Sequence, residues 1–363
     1  MPTSFEYADN GGRNRLFHND GGRFVEVTEE MGVGSTRWTL AAASADFNDD
    51  GWPDLYLAND YGPESLYLNR RGESFELTEA GLGESGSGMS VALGDLHNRG
   101  RLDVYVTNIS QRGYLFQGNN LRTNFLEELG RFNEDAEGAV ADAGWAWGAQ
   151  FGDLNSDGRT DLFVVNGFIS ESREEDYWYS MSKITGANRA VIEDAANWPP
   201  IGDKSLSGYQ RSRVLVNRGQ DGLVDAAYAV GVDDRLDGRA VALADLFNQG
   251  ELDAVVANQE GPALVYRNRV RDDRHWVEFR LVGAARGDTA QPGRTNRSAI
   301  GTRVTVGFDG RRRADVVTGG SGFAAQNDRR LFFGLGGARR VDSAVVEWTS
   351  GRREVLHELE ADR

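Results

Sequence analysis

The stretch Asp46-Phe47-Asn48-Asp49-Asp50-Gly51-Trp52-Pro53-Asp54 sets side-chain oxygens at its first, third, fifth and ninth places and a glycine at its sixth. Asp153-Leu154-Asn155-Ser156-Asp157-Gly158-Arg159-Thr160-Asp161 repeats the series. Two further segments, starting at Asp95 and Asp245, keep the outer aspartates and the glycine but carry His97 and Arg99, or Phe247 and Gln249, in between. Each of the four is preceded by small residues (AAASA, VALG, GAQFG, VALA) and followed by an alternating run such as Leu55-Tyr56-Leu57. That alternation suits a half-buried strand.

Working outward, the leading aspartates stand 49, 58 and 92 residues apart. The last interval is one repeat plus an insertion over 168–211, in which SREEDYWYSMSK and ANRAVIEDAANW read as helices. After each inner strand pair comes a strand, a glycine turn and a strand, as in SLYLNRRGESFELT and RVLVNRGQDGLVDA. Repeats of about 50 residues with four strands each describe β-propeller blades, and small first-strand residues suit a crowded axis. Tyr7-Ala8-Asp9-Asn10 aligns with Tyr56-Leu57-Ala58-Asn59, so the chain is expected to begin inside a repeat, as an N-terminally truncated and incomplete propeller.

Alternate oxygens in a tight loop converge on one point, the glycine permits the sharp turn, and the carbonyl at the seventh place adds a ligand. Hard oxygen donors of this kind suit Ca²⁺. The expected ligands are Asp46, Asn48, Asp50, the Trp52 carbonyl and Asp54 in one site, and Asp153, Asn155, Asp157, the Arg159 carbonyl and Asp161 in a second. An EF-hand would need glutamate at the twelfth place, where Leu57 and Val164 stand. The competing reading is a set of Asx-rich turns that needs no ion. The second and fourth loops lack the middle oxygens, and Arg99 is expected to bridge Asp95 and Asp103 in place of a metal.

Composition narrows the function classes. The chain has 363 residues and a formal charge of −16. From Arg274 onward 16 Arg face 11 Asp and Glu, a net of +5, which leaves −21 on the first 273 residues and marks a domain boundary near 270–274. Such an acidic chain is a poor nucleic-acid ligand, and no run of 18 apolar residues offers a transmembrane segment. The absence of cysteine excludes disulfides, thiolate metal sites and a cysteine nucleophile.

Residues 274–363 read as a small β-sandwich-like domain, with HWVEFRLVG, TRVTVGF, RRADVVTG, RLFFGLG and SAVVEWTSG as strands. The loops within residues 1–270 resemble the FG-GAP or VCBS repeats of integrin α-subunit propellers. Asn296-RSAIGTRVTV, Val317-TGGSGFAAQNDRRLFFGLG and Val341-DSAVVEWTSGRREVL resemble the ASPIC/UnbV domain, so the chain as a whole is similar to the cartilage acidic protein family. Ala324-Ala325 and Phe332 depart from that pattern, which usually has a serine before Gln326 and a histidine in place of the phenylalanine. The resemblance implies a calcium-binding extracellular or cell-surface module that recognises a glycan or protein ligand.

Other motifs carry less. Arg286-Gly287-Asp288 spells an adhesion tripeptide that composition alone produces readily. Ser321 lacks the spacing of a nucleophile elbow and reads as part of a glycine-rich turn. The four histidines have no metal-ligand spacing. Trp145 and Trp147 read as packing near the axis or as an aromatic floor for a sugar. The alternative function is a polysaccharide hydrolase or lyase using carboxylates such as Glu171, Glu174, Glu175 and Asp176, although no spacing selects a pair.

Overall fold

Alternating sequence becomes antiparallel sheet throughout the computed structural model, which describes residues 8–83, 86–185, 195–270, 273–284 and 293–363. β1 (Phe17–Asp20) and β2 (Arg23–Glu26) pair with each other alone. Leu16 and Met31 beside them pack on Leu57 and Tyr67 of the first blade. That blade is a four-stranded sheet of β3 (Thr39–Ala45), β4 (Asp54–Asn59), β5 (Ser65–Asn69) and β6 (Phe75–Thr78), in that order.

The second blade holds β7 (Val91–Gly94) and β8 (Asp103–Val106), then a small side hairpin of β9 (Ser110–Gln111) and β10 (Leu115–Phe116), then β11 (Asn120–Phe125) and β12 (Arg131–Glu134). β13 (Ala146–Gly152), β14 (Asp161–Asn166), β15 (Arg213–Asn217) and β16 (Leu223–Asp225) form the third. β17 (Gly238–Ala244), β18 (Asp253–Asn258) and β19 (Leu264–Tyr266) form a three-stranded fourth.

First strands of successive blades lie side by side, and the apolar cores sit between consecutive blades. The small residues make this approach feasible. A Cβ on Gly94 would stand 2.6 Å from Phe151 of the next blade, and one on Gly152 would stand 2.6 Å from Leu243 of the blade after. A side chain at either place would overpack a space already full.

The insertion leaves β14 and returns into β15. Its helix, Tyr177–Thr185, carries Trp178, which stacks on Tyr114 (5.9 Å) and lies beside Trp145 (6.1 Å). Trp145 precedes the start of β13 whereas Asp153 follows its end, so this helix lies on the face opposite the aspartate loops. Of the second expected helix only residues 195–198 fall within the described residues, and Ala195–Asn197 form a single 3₁₀ turn there.

The C-terminal domain stacks two sheets. β20 (His275–Phe279) pairs with β23 (Leu331–Gly336), while β21 (Arg303–Phe308), β22 (Arg311–Val316), β24 (Arg340–Glu347) and β25 (Arg353–Glu360) form the other sheet in the order β22-β21-β24-β25. Val277, Phe279 and Phe333 meet Val304, Val306 and Val346 in its core. Arg286-Gly287-Asp288 lies outside the described residues.

Candidate metal-binding loops and their cover

All four loops are built on one hydrogen-bond frame. The first-place aspartate accepts two main-chain N–H groups through its two oxygens. Asp46 Oδ1 accepts from Asp50 (3.1 Å) and Oδ2 from Gly51 (2.8 Å), and Asp95, Asp153 and Asp245 do the same with their own fifth and sixth residues. The ninth-place aspartate ties the loop to the blade. Asp54 Oδ2 accepts from Phe47 N (3.0 Å) and Oδ1 from Asn69 N (2.8 Å), a pattern repeated at Asp103, Asp161 and Asp253. The fourth residue of each loop (Asp49, Asn98, Ser156, Asn248) is left-handed, with φ between 51 and 58°. Short polar side chains tolerate that conformation best.

One recurrent residue escaped the sequence reading. Asn69, Asn124, Asn217 and Asn268 stand at or within two residues of the end of the third strand of each blade, and the last three donate their side-chain amides backward to Phe47 O (2.9 Å), Leu96 O (2.9 Å) and Leu154 O (2.6 Å). They stitch each blade to the loop of the one before. The signal was an asparagine at a fixed place in every repeat, and it lies too far from the acidic loops to read as part of them.

The middle residues separate the loops. In the first, Asn48 Oδ1 accepts from Asp50 N (3.2 Å) and Asp50 Oδ1 from Trp52 N (2.9 Å); in the third, Asn155 and Asp157 make the same two bonds (3.0 and 2.9 Å). Burial pushes Asp46 up to about 6 and Asp54 up to about 7, with nearby carboxylates adding to both. Burial likewise pushes Asp153 up to about 6 and raises Asp161 well above the usual carboxylate range. In the second loop the Arg99 guanidinium reaches Asp103 (3.0 Å), while Asp95 is met by the Arg99 main-chain N–H (2.9 Å). The expected bridge therefore has a side-chain end and a backbone end.

The C-terminal domain covers three of the four loops. Arg312 stands against Gly100, Phe308 against Gly158 and Trp276 against Gly250, whereas an added Cβ on Gly51 would meet nothing within 4 Å. Arg313 Nη1 pairs with Asp153 Oδ2 at 2.9 Å, with both side chains buried (4% and 0% exposed). Ala314 N donates to Asp95 Oδ2 (3.0 Å), Arg311 to Asp157 O (3.0 Å), and Gly336 N to Ser156 O (2.9 Å). The first loop is touched at its fourth residue, where Arg303 and Arg101 pair with Asp49. Between the two domains lies a cavity of about 60 Å³ lined by Asp95, Gln150, Arg313, Asp315, Ser321 and Asn327.

The oxygen set of the first loop fits a hard divalent cation in its chemistry. Among the described residues no Arg or Lys pairs with Asp46, Asp50 or Asp54. Also among the described residues, no three His, Cys, Asp or Glu side chains are gathered as a finished metal centre. Asp46 and Asp54 are held by backbone N–H groups, and Asn48, Asp50 and the Trp52 carbonyl are the other oxygen donors of the loop.

These loops match known sequence families. Residues 7–57, 46–106 and 95–164 match the FG-GAP-like repeat, and residues 292–363 match the ASPIC and UnbV domain. The chain carries FG-GAP-like repeats followed by an ASPIC and UnbV domain. Its fourth blade, outside the matched residues, uses the same frame as the FG-GAP-like repeats. Human cartilage acidic protein 1 is 33% identical over 117 residues, which span 32% of this chain and 16% of that protein. The Xenopus tropicalis protein is 29% identical over 171 residues, 44% of this chain and 26% of that one. The chain thus spans about a quarter or less of the curated relatives it matches. Among solved structures, the V. cholerae biofilm matrix protein Bap1 aligns with TM-score 0.32 and 11% identity over 96% of this chain and 53% of that one. The BP39L lectin of Burkholderia pseudomallei aligns with TM-score 0.36 and 14% identity over 97% and 95%.

The remaining candidates are placed by packing. Trp145 stacks on Phe168 (4.4 Å), and Trp147 lies between Phe168 (5.7 Å), Phe323 (5.3 Å) and the Arg239 guanidinium (4.6 Å), so these rings face other side chains. Ser321 Oγ accepts from Gln150 Nε2 (2.9 Å) inside the turn 321–325. Glu171, Glu174, Glu175 and Asp176 are all exposed, Glu175 facing Lys204 (3.9 Å). Among the described residues no helix is long and apolar enough to cross a membrane.

Proposed function

We propose that the protein is a calcium-binding recognition module that works outside the cytoplasm and presents its blade loops to a glycan or protein surface. The observation that carries this reading is the first loop, where Asp46, Asp50 and Asp54 have no cationic partner among the described residues, while Arg303 and Arg101 pair with Asp49 beside them. Asp46, Asn48, Asp50, the Trp52 carbonyl and Asp54 would hold the ion. When bound it would supply the positive charge that burial of Asp46 and Asp54 demands. Asp153, Asn155, Asp157, the Arg159 carbonyl and Asp161 repeat the donor pattern, but there Arg313 already pairs with Asp153.

A module of this type fits the fold, in which sheets packed blade on blade hold the loops at their ends. An extracytoplasmic site also fits metal supply, because weak calcium sites fill where the ion is plentiful. The test is a thermal melt of the full chain in calcium and in EDTA. Calcium is expected to raise the Tm, and Asp50→Ala to abolish the rise. A melt that is the same in both buffers overturns the reading. Ligand class is then read from a glycan array probed with the calcium-loaded protein.

A further inference from the structure

The charge break in the sequence has a physical counterpart in the fold, because the basic C-terminal domain sits on the acidic loops. We infer that Arg313 is the resident cation of the third loop, so that docking of the C-terminal domain and metal binding by Asp153, Asn155, Asp157 and Asp161 exclude one another. Arg313 comes from β22, 160 residues away, and reaches Asp153 at 2.9 Å with the pair fully enclosed. Its second nitrogen is 3.5 Å from Phe332 O, and its guanidinium lies over the Phe333 ring at 5.4 Å. A guanidinium keeps its charge at any accessible pH, so it makes way for a metal only by leaving.

Four residues around Arg313 fix how its domain meets the loops. Ala314 N donates to Asp95 Oδ2 of the second loop (3.0 Å), so the strand bridges two loops at once. Gly334 lies so close to Asp153 that any Cβ would collide with its carboxylate. Arg274 donates to Asn155 O (2.6 Å), and Arg311 to Asp157 O (3.0 Å), which adds positive charge on the same side of the loop. Asp157 has its own partner in Arg159 at 3.5 Å. No such cover reaches Gly51, and no such pair reaches Asp46, Asp50 or Asp54 among the described residues.

The ion-binding half of this inference rests on the calcium reading of the first loop, whereas the Arg313–Asp153 latch stands without it. Equilibrium dialysis with radioactive calcium on the full chain counts bound ions. One ion per chain is expected, falling to none in Asp50→Ala. Arg313→Gln is expected to bind two, Arg313→Gln with Asp50→Ala one, and Arg313→Lys, which keeps the charge, one. Two ions in the unaltered chain, unchanged by Arg313→Gln, overturn the exclusion. No ion in any form retires calcium and the exclusion together.

The latch is then decided alone, by urea unfolding in EDTA of Asp153→Asn, Arg313→Gln and the double variant, with proteolysis at the 267–274 junction alongside. The double variant should be no less stable than the weaker single one, and Arg313→Gln should be cut about tenfold faster. Additive losses with unchanged cutting overturn the latch.

Discussion

The first and third loops share nine-residue sequences of the same pattern and the same frame of main-chain N–H to side-chain bonds, yet they sit in different electrostatic surroundings. Residues 49–53 of the first are exposed, and its ninth-place Asp54 is buried without a cation among the described residues. No residue from 153 to 161 is exposed, and Asp153 is neutralised from another domain. A shared frame thus shapes the loop, while its neighbours decide what charge the loop is free to receive.

The sharpest way to break this contrast is to delete the leading aspartates. Asp153→Ala strands a buried guanidinium and should cost about 3–5 kcal/mol in EDTA. Asp46→Ala, which strands two backbone N–H groups at a loop facing solvent, should cost about 1–3 kcal/mol. Urea unfolding of the two variants measures both, and equal losses would erase the distinction.

Saturating calcium gives the next effect. At a hundred times its dissociation constant, an ion held only by the folded first loop adds about 2.7 kcal/mol. That gain should survive Asp157→Ala and vanish in Asp50→Ala, as read by calorimetry.

Glycine replacement follows. Gly51 is left-handed (φ 88°) but meets open space, so Gly51→Ala should cost about 1 kcal/mol from backbone strain alone. Gly158→Ala adds a contact at 3.0 Å with Phe308 to the same strain and should cost more. Paired thermal melts in EDTA read the difference.

The smallest effect is that of pH. Asp46 and Asp54 are raised to about 6 and 7 in the folded protein, above their unfolded value. Held ionised without a cation, they oppose folding above pH 7. As pH falls from 7 towards 4, the folded state takes up protons first and that opposition fades. The calcium-dependent rise in Tm should therefore be greatest near pH 8 and shrink below pH 6. A rise that grows on acidification would place the ion elsewhere.

Much of the fold was legible because its determinants are local and recur. Small first strands, aspartate loops and glycine hairpins each reappear in register, and β3, β7, β13 and β17 fall where the repeats place them. The sugar-floor reading of Trp145 and Trp147 could not be weighed from sequence. The rings that face them, Phe168 and Phe323, come from the insertion and the C-terminal domain. Whether the insertion lies on a face or at an edge was open for a similar reason, since Trp178 finds Tyr114 across more than sixty residues.

Sequence alone determined the shape of the acidic loops, because every bond of the frame within them joins residues no more than seven apart. It also marked the basic and acidic halves of the chain, since charge is additive and needs no coordinates. Only the tertiary structure decided that three loops are sockets and one is open. A guanidinium 160 residues away leaves no trace in the local pattern, and Coulomb attraction depends on distance in space rather than along the chain.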